Sequence, residues 1–123
     1  MAFKTALVVD DTEIHRSATR TFLAMSGFKV DLAEDGIQGL KVLDSKTFDV
    51  IFSDIEMPNM NGMEFLKRVR KHATAGKTPV VMLSTLDSPE MQAKLQQLGA
   101  NHYLVKPFSG DRMKTALKAV GLL

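Results

Sequence analysis

FDVIFSDIEMPNMNGMEFLKRV, residues 48–69, contains one complete strand–loop–helix unit. The run Phe48–Phe52 has strand length and near-continuous apolarity, which suits a strand covered on both faces. Asp54 follows it, then a loop carrying Pro58 and ending at Gly62. Phe65, Leu66 and Val69 next recur at helical spacing. The same alternation extends in both directions. Short apolar, partly β-branched runs occur at Ala6–Val9, Phe28–Leu32, Val80–Leu83 and His102–Val105. Between and after them lie helical stripes: Ile14, Ala18, Thr21, Phe22 and Met25; Ile37, Leu40 and Leu43; Met91, Leu95 and Leu98; Met113, Leu117 and Val120. Gly27 and Gly99 sit where helix C-caps are needed, and Ser88-Pro89 reads as an N-cap with proline in the first turn. Five βα units in series predict an α/β domain, a doubly wound (βα)5 fold with a parallel five-stranded sheet and helices on both faces.

The chain has 123 residues and 13.6 kDa, enough for one domain whose core holds without staples. It has no cysteine, which excludes disulfides and thiolate chemistry. No apolar run approaches the roughly 20 residues that span a bilayer, and the first residues do not read as a signal peptide. The expectation is a cytoplasmic protein that does not engage membranes. Net charge is +2, but residues 1–60 carry 6 Lys/Arg against 10 Asp/Glu while the remainder carries 10 against 4. A cation site is therefore expected in the acidic half.

Ligands of a parallel α/β sheet bind outside the carboxyl ends of its strands. The strand ends here supply Asp10-Asp11, Asp54, Ser84-Thr85 and Lys106-Pro107. Clustered carboxylates need a cation to stay ionised together, and oxygen-only ligands favour a hard ion such as Mg²⁺. A lysine suits a phosphoryl oxygen, a serine hydroxyl can donate to another, and an aspartate can become an acyl phosphate. These residue types together suit reversible phosphorylation of an aspartate.

VVDD near the start, FSDIEMPNMNG in the middle, VVMLST, and YLVKPF near the end resemble the receiver domain of two-component response regulators. The closest likeness is to the single-domain, CheY-like chemotaxis type, over essentially the whole chain. The resemblance implies the flavodoxin/CheY-like strand order 2-1-3-4-5 and one receiver domain over 1–123 with no effector domain. It implies Asp54 as phosphoacceptor and metal ligand, Asp11 as a direct Mg²⁺ ligand, Asp10 as a ligand through water, and the backbone carbonyl of Glu56 as the third protein ligand. Lys106 and Ser84 would contact the phosphoryl group, Ser84 and Tyr103 would move as a switch, and Pro107 would follow a cis peptide. Implied partners are a histidine kinase as donor, a downstream target such as a flagellar-motor or other output protein, and a phosphatase. The implied chemistry is self-catalysed phosphorylation and autodephosphorylation, without enzymatic action on a separate substrate.

The chain also departs from the family pattern. Thr85 stands where the family usually has a small residue, and Glu56 and Leu86 occupy the two positions that tune hydrolysis. The alternatives are a phosphorelay intermediate that returns phosphate to a histidine phosphotransfer protein, a small Mg²⁺-dependent aspartyl phosphatase using Glu56 as acid, and a non-phosphorylated docking module. The blander readings complete the set. His15, His72 and His102 share no ligand spacing and are expected at the surface. Lys67, Arg68, Arg70, Lys71 and Lys77 are expected to form a solvated helix face rather than a nucleic-acid surface. Gly62 reads equally as a plain turn residue or as relief of backbone strain beside the phosphoryl site.

Overall fold

The computed structural model describes residues 3–123, so Met1 and Ala2 of the expected domain lie outside the described residues. Its elements run β1 Lys4–Val9, α1 Glu13–Met25, β2 Phe28–Ala33, α2 Gly36–Ser45, β3 Val50–Asp54, α3 Gly62–Lys71, β4 Val80–Ser84, α4 Pro89–Gln97, β5 His102–Val105 and α5 Gly110–Ala119. The five strands form one parallel sheet in the order β2-β1-β3-β4-β5. This is the expected doubly wound (βα)5 architecture of the flavodoxin/CheY-like type.

Alternation along each strand divides the core into two layers. Leu7, Val9, Ile51 and Met82 pack with Leu43, Phe65, Leu66, Val69 and Leu95, from α2, α3 and α4. Ala6, Val8, Phe52, Val81 and Leu83 pack with Leu23, Met113, Ala116 and Leu117, from α1 and α5. All ten residues of β3 and β4 are buried, as continuous apolar strands covered on both faces require. Helix starts follow capping chemistry: Asp35, Asn61, Ser88 and Ser109 each accept a backbone N–H three residues on. Gly27 and Gly99 follow α1 and α4 with φ of 88° and 105°, the left-handed conformation that glycine adopts without steric cost.

The structure corrects the expected register of α1. Its buried residues are Thr19 and Leu23, whereas Ile14 and Met25 are 78% and 79% exposed. The apolar stripe expected to face the core instead lies largely in solvent, and the sheet-facing side is one residue out of phase with it. β3 is also displaced, running two residues past Phe52, so that Asp54 is its last residue.

Gly62 has a specific reason to be glycine. Its N–H donates to the Ile55 carbonyl at 2.7 Å, drawing the start of α3 onto the end of β3. A Cβ there would collide with the Asp54 carbonyl oxygen and come within 2.7 Å of the Ile55 Cα. Backbone against backbone cannot yield as a side chain would. Gly62→Ala is expected to destabilise the fold by about 1–3 kcal/mol, read as a lowered denaturation midpoint. An unchanged midpoint would show that the end of β3 can move aside.

Candidate functional site

The carboxyl edge of the sheet gathers Asp10 after β1, Asp54 at the end of β3, Ser84 at the end of β4 and Lys106 after β5, all of them buried. Asp11 is exposed beside them. Carboxylate oxygens of Asp10, Asp11 and Asp54 lie within 4.8 Å of one another.

Lys106 ties the cluster together. Its ammonium lies 2.7 Å from Asp10 Oδ2 and 3.3 Å from Asp54 Oδ1. The Lys106–Pro107 peptide is cis, as the resemblance implied. Each Asp10 oxygen has a partner, because the second accepts the Thr12 N–H at 3.0 Å. Arg16 donates to the Asp10 backbone carbonyl at 2.7 Å, tying α1 to the same corner. On Asp54, Oδ1 also takes the Ile55 N–H at 3.0 Å.

Burial pushes the Asp54 carboxyl up from 3.8 to about 6. The Lys106 charge opposes that shift, the Asp10 charge adds to it, and hydrogen bonds from Lys106 and the Ile55 N–H oppose it further. Three carboxylates against one ammonium leave excess negative charge in a site made only of oxygen donors. That donor set fits a hard divalent cation and lacks the nitrogen and sulfur ligands that softer metals prefer.

The residues expected to act as a switch are linked through one backbone unit. Ser84 Oγ accepts the Leu86 N–H at 3.0 Å, and the Tyr103 hydroxyl donates to the Leu86 carbonyl at 2.7 Å. Leu86 is thus held from both sides, with its side chain exposed. Glu56 is exposed just past β3. Exposed Thr85 lines a 310 Å³ cleft together with His15, Phe22, Lys106 and Phe108.

Two expectations from the sequence need correction. His15, His72 and His102 are all half-buried rather than surface residues. His72 bonds Asp44 at 2.8 Å, burial lowers the pKa of His102, and His15 Nδ1 lies 3.1 Å from the Lys106 ammonium. Reading α1 one residue out of phase hid His15, which lies one helical turn before buried Thr19. Arg70 likewise leaves the solvated basic face. Its guanidinium donates to the carbonyls of Gly99 and Thr78 at 2.7 Å each, and to Asn101 Oδ1 at 2.8 Å. It therefore latches α3 to the loops that precede β4 and β5.

The response regulator receiver domain model matches residues 6–118, and the chain belongs to that family. It is 36% identical to a probable chemotaxis protein CheY of Rhizobium etli, over 93% of this chain and 89% of that protein. It is 31% identical to the response regulator MprA of a Mycobacterium species, over 93% of this chain but 49% of that longer protein. The chemotaxis protein CheY4 of Vibrio cholerae superposes with a TM-score of 0.91 at 38% identity, over 97% of this chain and 99% of that one.

Raising the Asp54 pKa has a consequence for stability. The folded state binds this proton more tightly than the unfolded chain, so the contribution of Asp54 to stability is fully present below about 3.8 and is lost as pH rises through about 6. Asp54→Asn is therefore expected to stabilise the metal-free protein at pH 8 by roughly 1–3 kcal/mol. The gain should vanish near pH 4, where both side chains are neutral. Denaturant titrations at the two pH values check it, and equal stabilities at pH 8 would refute the strain on Asp54.

Proposed function

We propose that this receiver takes a phosphoryl group onto Asp54 from the phosphohistidine of a histidine kinase and converts it into a change on the α4–β5–α5 face. The observation that carries the reading is the ammonium of Lys106 held between buried Asp10 and Asp54, with Asp11 completing the acidic cluster.

Asp54 Oδ1 already holds the Ile55 N–H and faces Lys106, so Oδ2 is the oxygen left to attack phosphorus. The new O–P bond forms as the P–N bond to the donor imidazole breaks, and the imidazole leaves with the bonding pair. Lys106 neutralises charge on the phosphoryl oxygens, and the Ser84 hydroxyl turns from the Leu86 N–H to donate to one of them. A bound Mg²⁺ would supply the remaining charge neutralisation, held, as the family resemblance implies, by Asp11, Asp54 and the Glu56 backbone carbonyl, with Asp10 acting through water. Water later cleaves the acyl phosphate, at a rate set by Glu56, Thr85 and Leu86 at the rim. The chain works on its own aspartate rather than as an enzyme with a separate substrate.

When Ser84 turns, Leu86 loses one of its two restraints and the Tyr103 hydroxyl remains the other. The β4–α4 loop then shifts with Tyr103, biasing a two-state element. Grooves of 230 Å³ and 290 Å³ flank β5 on this face, and both are lined by His102 and Tyr103. Lys94 and Lys114 are exposed on the neighbouring helices. The likeness to chemotaxis CheY proteins favours a chemotaxis-type output protein as the target.

Intact-mass measurement after acetyl phosphate and Mg²⁺ is expected to show a single phosphoryl adduct. EDTA or Asp54→Asn should abolish it. A folded protein that takes up neither phosphate nor beryllofluoride would overturn the proposal, and turnover of a generic phosphate ester would favour an aspartyl phosphatase. A second measurement addresses the switch. Tyr103→Phe should keep phosphate uptake within about twofold, since one neutral hydrogen bond far from phosphorus is lost. Its beryllofluoride-induced backbone shifts on α4 should nevertheless shrink. Shifts equal to wild type would remove Tyr103 from the signalling path.

A further inference from the structure

The Lys106 ammonium has three donors and no acceptor, and it meets three acceptors: Asp10 Oδ2 at 2.7 Å, His15 Nδ1 at 3.1 Å and Asp54 Oδ1 at 3.3 Å. We propose that His15 is a positioning residue, whose unprotonated Nδ1 anchors Lys106 so that its charge is presented to the phosphoryl group. The inference rests on Asp54 being the phosphoacceptor.

The geometry separates anchoring from reacting. The longest of the three contacts goes to Asp54, the group that changes during transfer. The two shorter ones come from Asp10, after β1, and from His15, in the first turn of α1. Lys106 can therefore exchange Asp54 for a phosphoryl oxygen while staying fixed at its other two contacts. A neutral imidazole holds the ammonium without cancelling its charge, whereas a third carboxylate would neutralise it. Because the ammonium only donates, Nδ1 must offer a lone pair, which places the neutral ring's proton on Nε2. Half-buried His15 lines the cleft with Phe22 and Phe108.

Protonated His15 cannot accept, and it sets two cations against each other. The charged groups around it are few. Lys106 faces it from the end of β5, with Asp10 and Asp54 across the ammonium. Arg16 is committed to the Asp10 carbonyl, and Asp11 and Glu13 are exposed at the start of α1. Acidification should therefore loosen Lys106 through His15. The His15 contribution is the difference between wild type and a variant with a non-titrating acceptor.

The experiment is the acetyl phosphate uptake rate of wild type, His15→Met and His15→Gln between pH 5.5 and 8 (roughly the range in which histidine titrates), followed by intact mass with Mg²⁺ saturating. Nitrogen-15 spectra of the His15 ring are recorded alongside. At high pH, His15→Met should lose about threefold to tenfold in rate, the effect of one hydrogen bond. His15→Gln should stay within about twofold, because it keeps an acceptor. The wild-type rate should fall more on acidification than that of His15→Gln, and the ring should show the Nε2–H tautomer. Should His15→Met fail to fold, the wild-type and His15→Gln profiles with the tautomer decide. Wild-type uptake left unchanged in His15→Met, superimposable wild-type and His15→Gln profiles, or a proton on Nδ1 would overturn the positioning role alone. A wild type that takes up no phosphate at all would overturn the phosphoacceptor reading and this proposal with it.

Discussion

The 2.7 Å contact between Lys106 and Asp10, whose side chains are 6% and 0% exposed, is the constraint around which the functional edge is arranged. Ninety-six residues separate the two partners in sequence. A buried pair of this kind contributes little net stability compared with an apolar pair, because desolvation offsets much of the attraction. Leaving either partner alone is far more costly, so the pair penalises arrangements that fail to bring the ends of β1 and β5 together. The strand order β2-β1-β3-β4-β5 satisfies it, with the end of β3 lying between them. Asp54 thereby enters a corner already fixed by charge, and its carboxyl rises to about 6 as a result of that burial. The carboxylate proposed to take the phosphoryl group is also the one held under electrostatic strain.

The proposed signal transmission depends on a second and weaker arrangement. Leu86 contributes only its backbone, with the N–H held by Ser84 and the carbonyl held by Tyr103. Such a link can be exchanged cheaply, since each hydrogen bond is worth about 1 kcal/mol net. The proposed signalling needs both a rigid corner to bind the phosphoryl group and a soft loop to report it. The cores on either side of the sheet provide the rigidity, and the exposed stretch Thr85–Asp87 provides the softness.

Most of the fold was legible because the buried strands are continuous apolar runs of strand length. β2, β4 and β5 were located to within one residue. β3 came out two residues early because Ser53 and Asp54, both buried, carry no apolar signal. α1 was read out of phase for a related reason. Its inward line contains His15 and Thr19 ahead of Leu23, while Ile14, Ala18 and Met25 imitate a core stripe on the outside. Polar residues buried for a specific contact defeat a reading that equates burial with hydrophobicity. Arg70 shows the same effect at the far end of the domain, where hydrogen bonds to the Gly76, Thr78 and Gly99 carbonyls and to Asn101 Oδ1 take it out of an otherwise solvated basic face.

The sequence by itself determined the five βα units, the parallel sheet they imply, and the membership of Asp10, Asp11, Asp54, Ser84 and Lys106 in one cluster. Periodicity and strand-end position are local properties, and the carboxyl ends of parallel strands share one edge. Only the tertiary structure decided which partner each of those groups takes. It placed both Asp10 oxygens in hydrogen bonds, brought His15 to the Lys106 ammonium, set the Gly62 backbone against the end of β3 and suspended Leu86 between Ser84 and Tyr103. Those contacts depend on helix phase and on distances across several strands. Both emerge from packing the two cores together, and neither leaves a periodic trace along the chain.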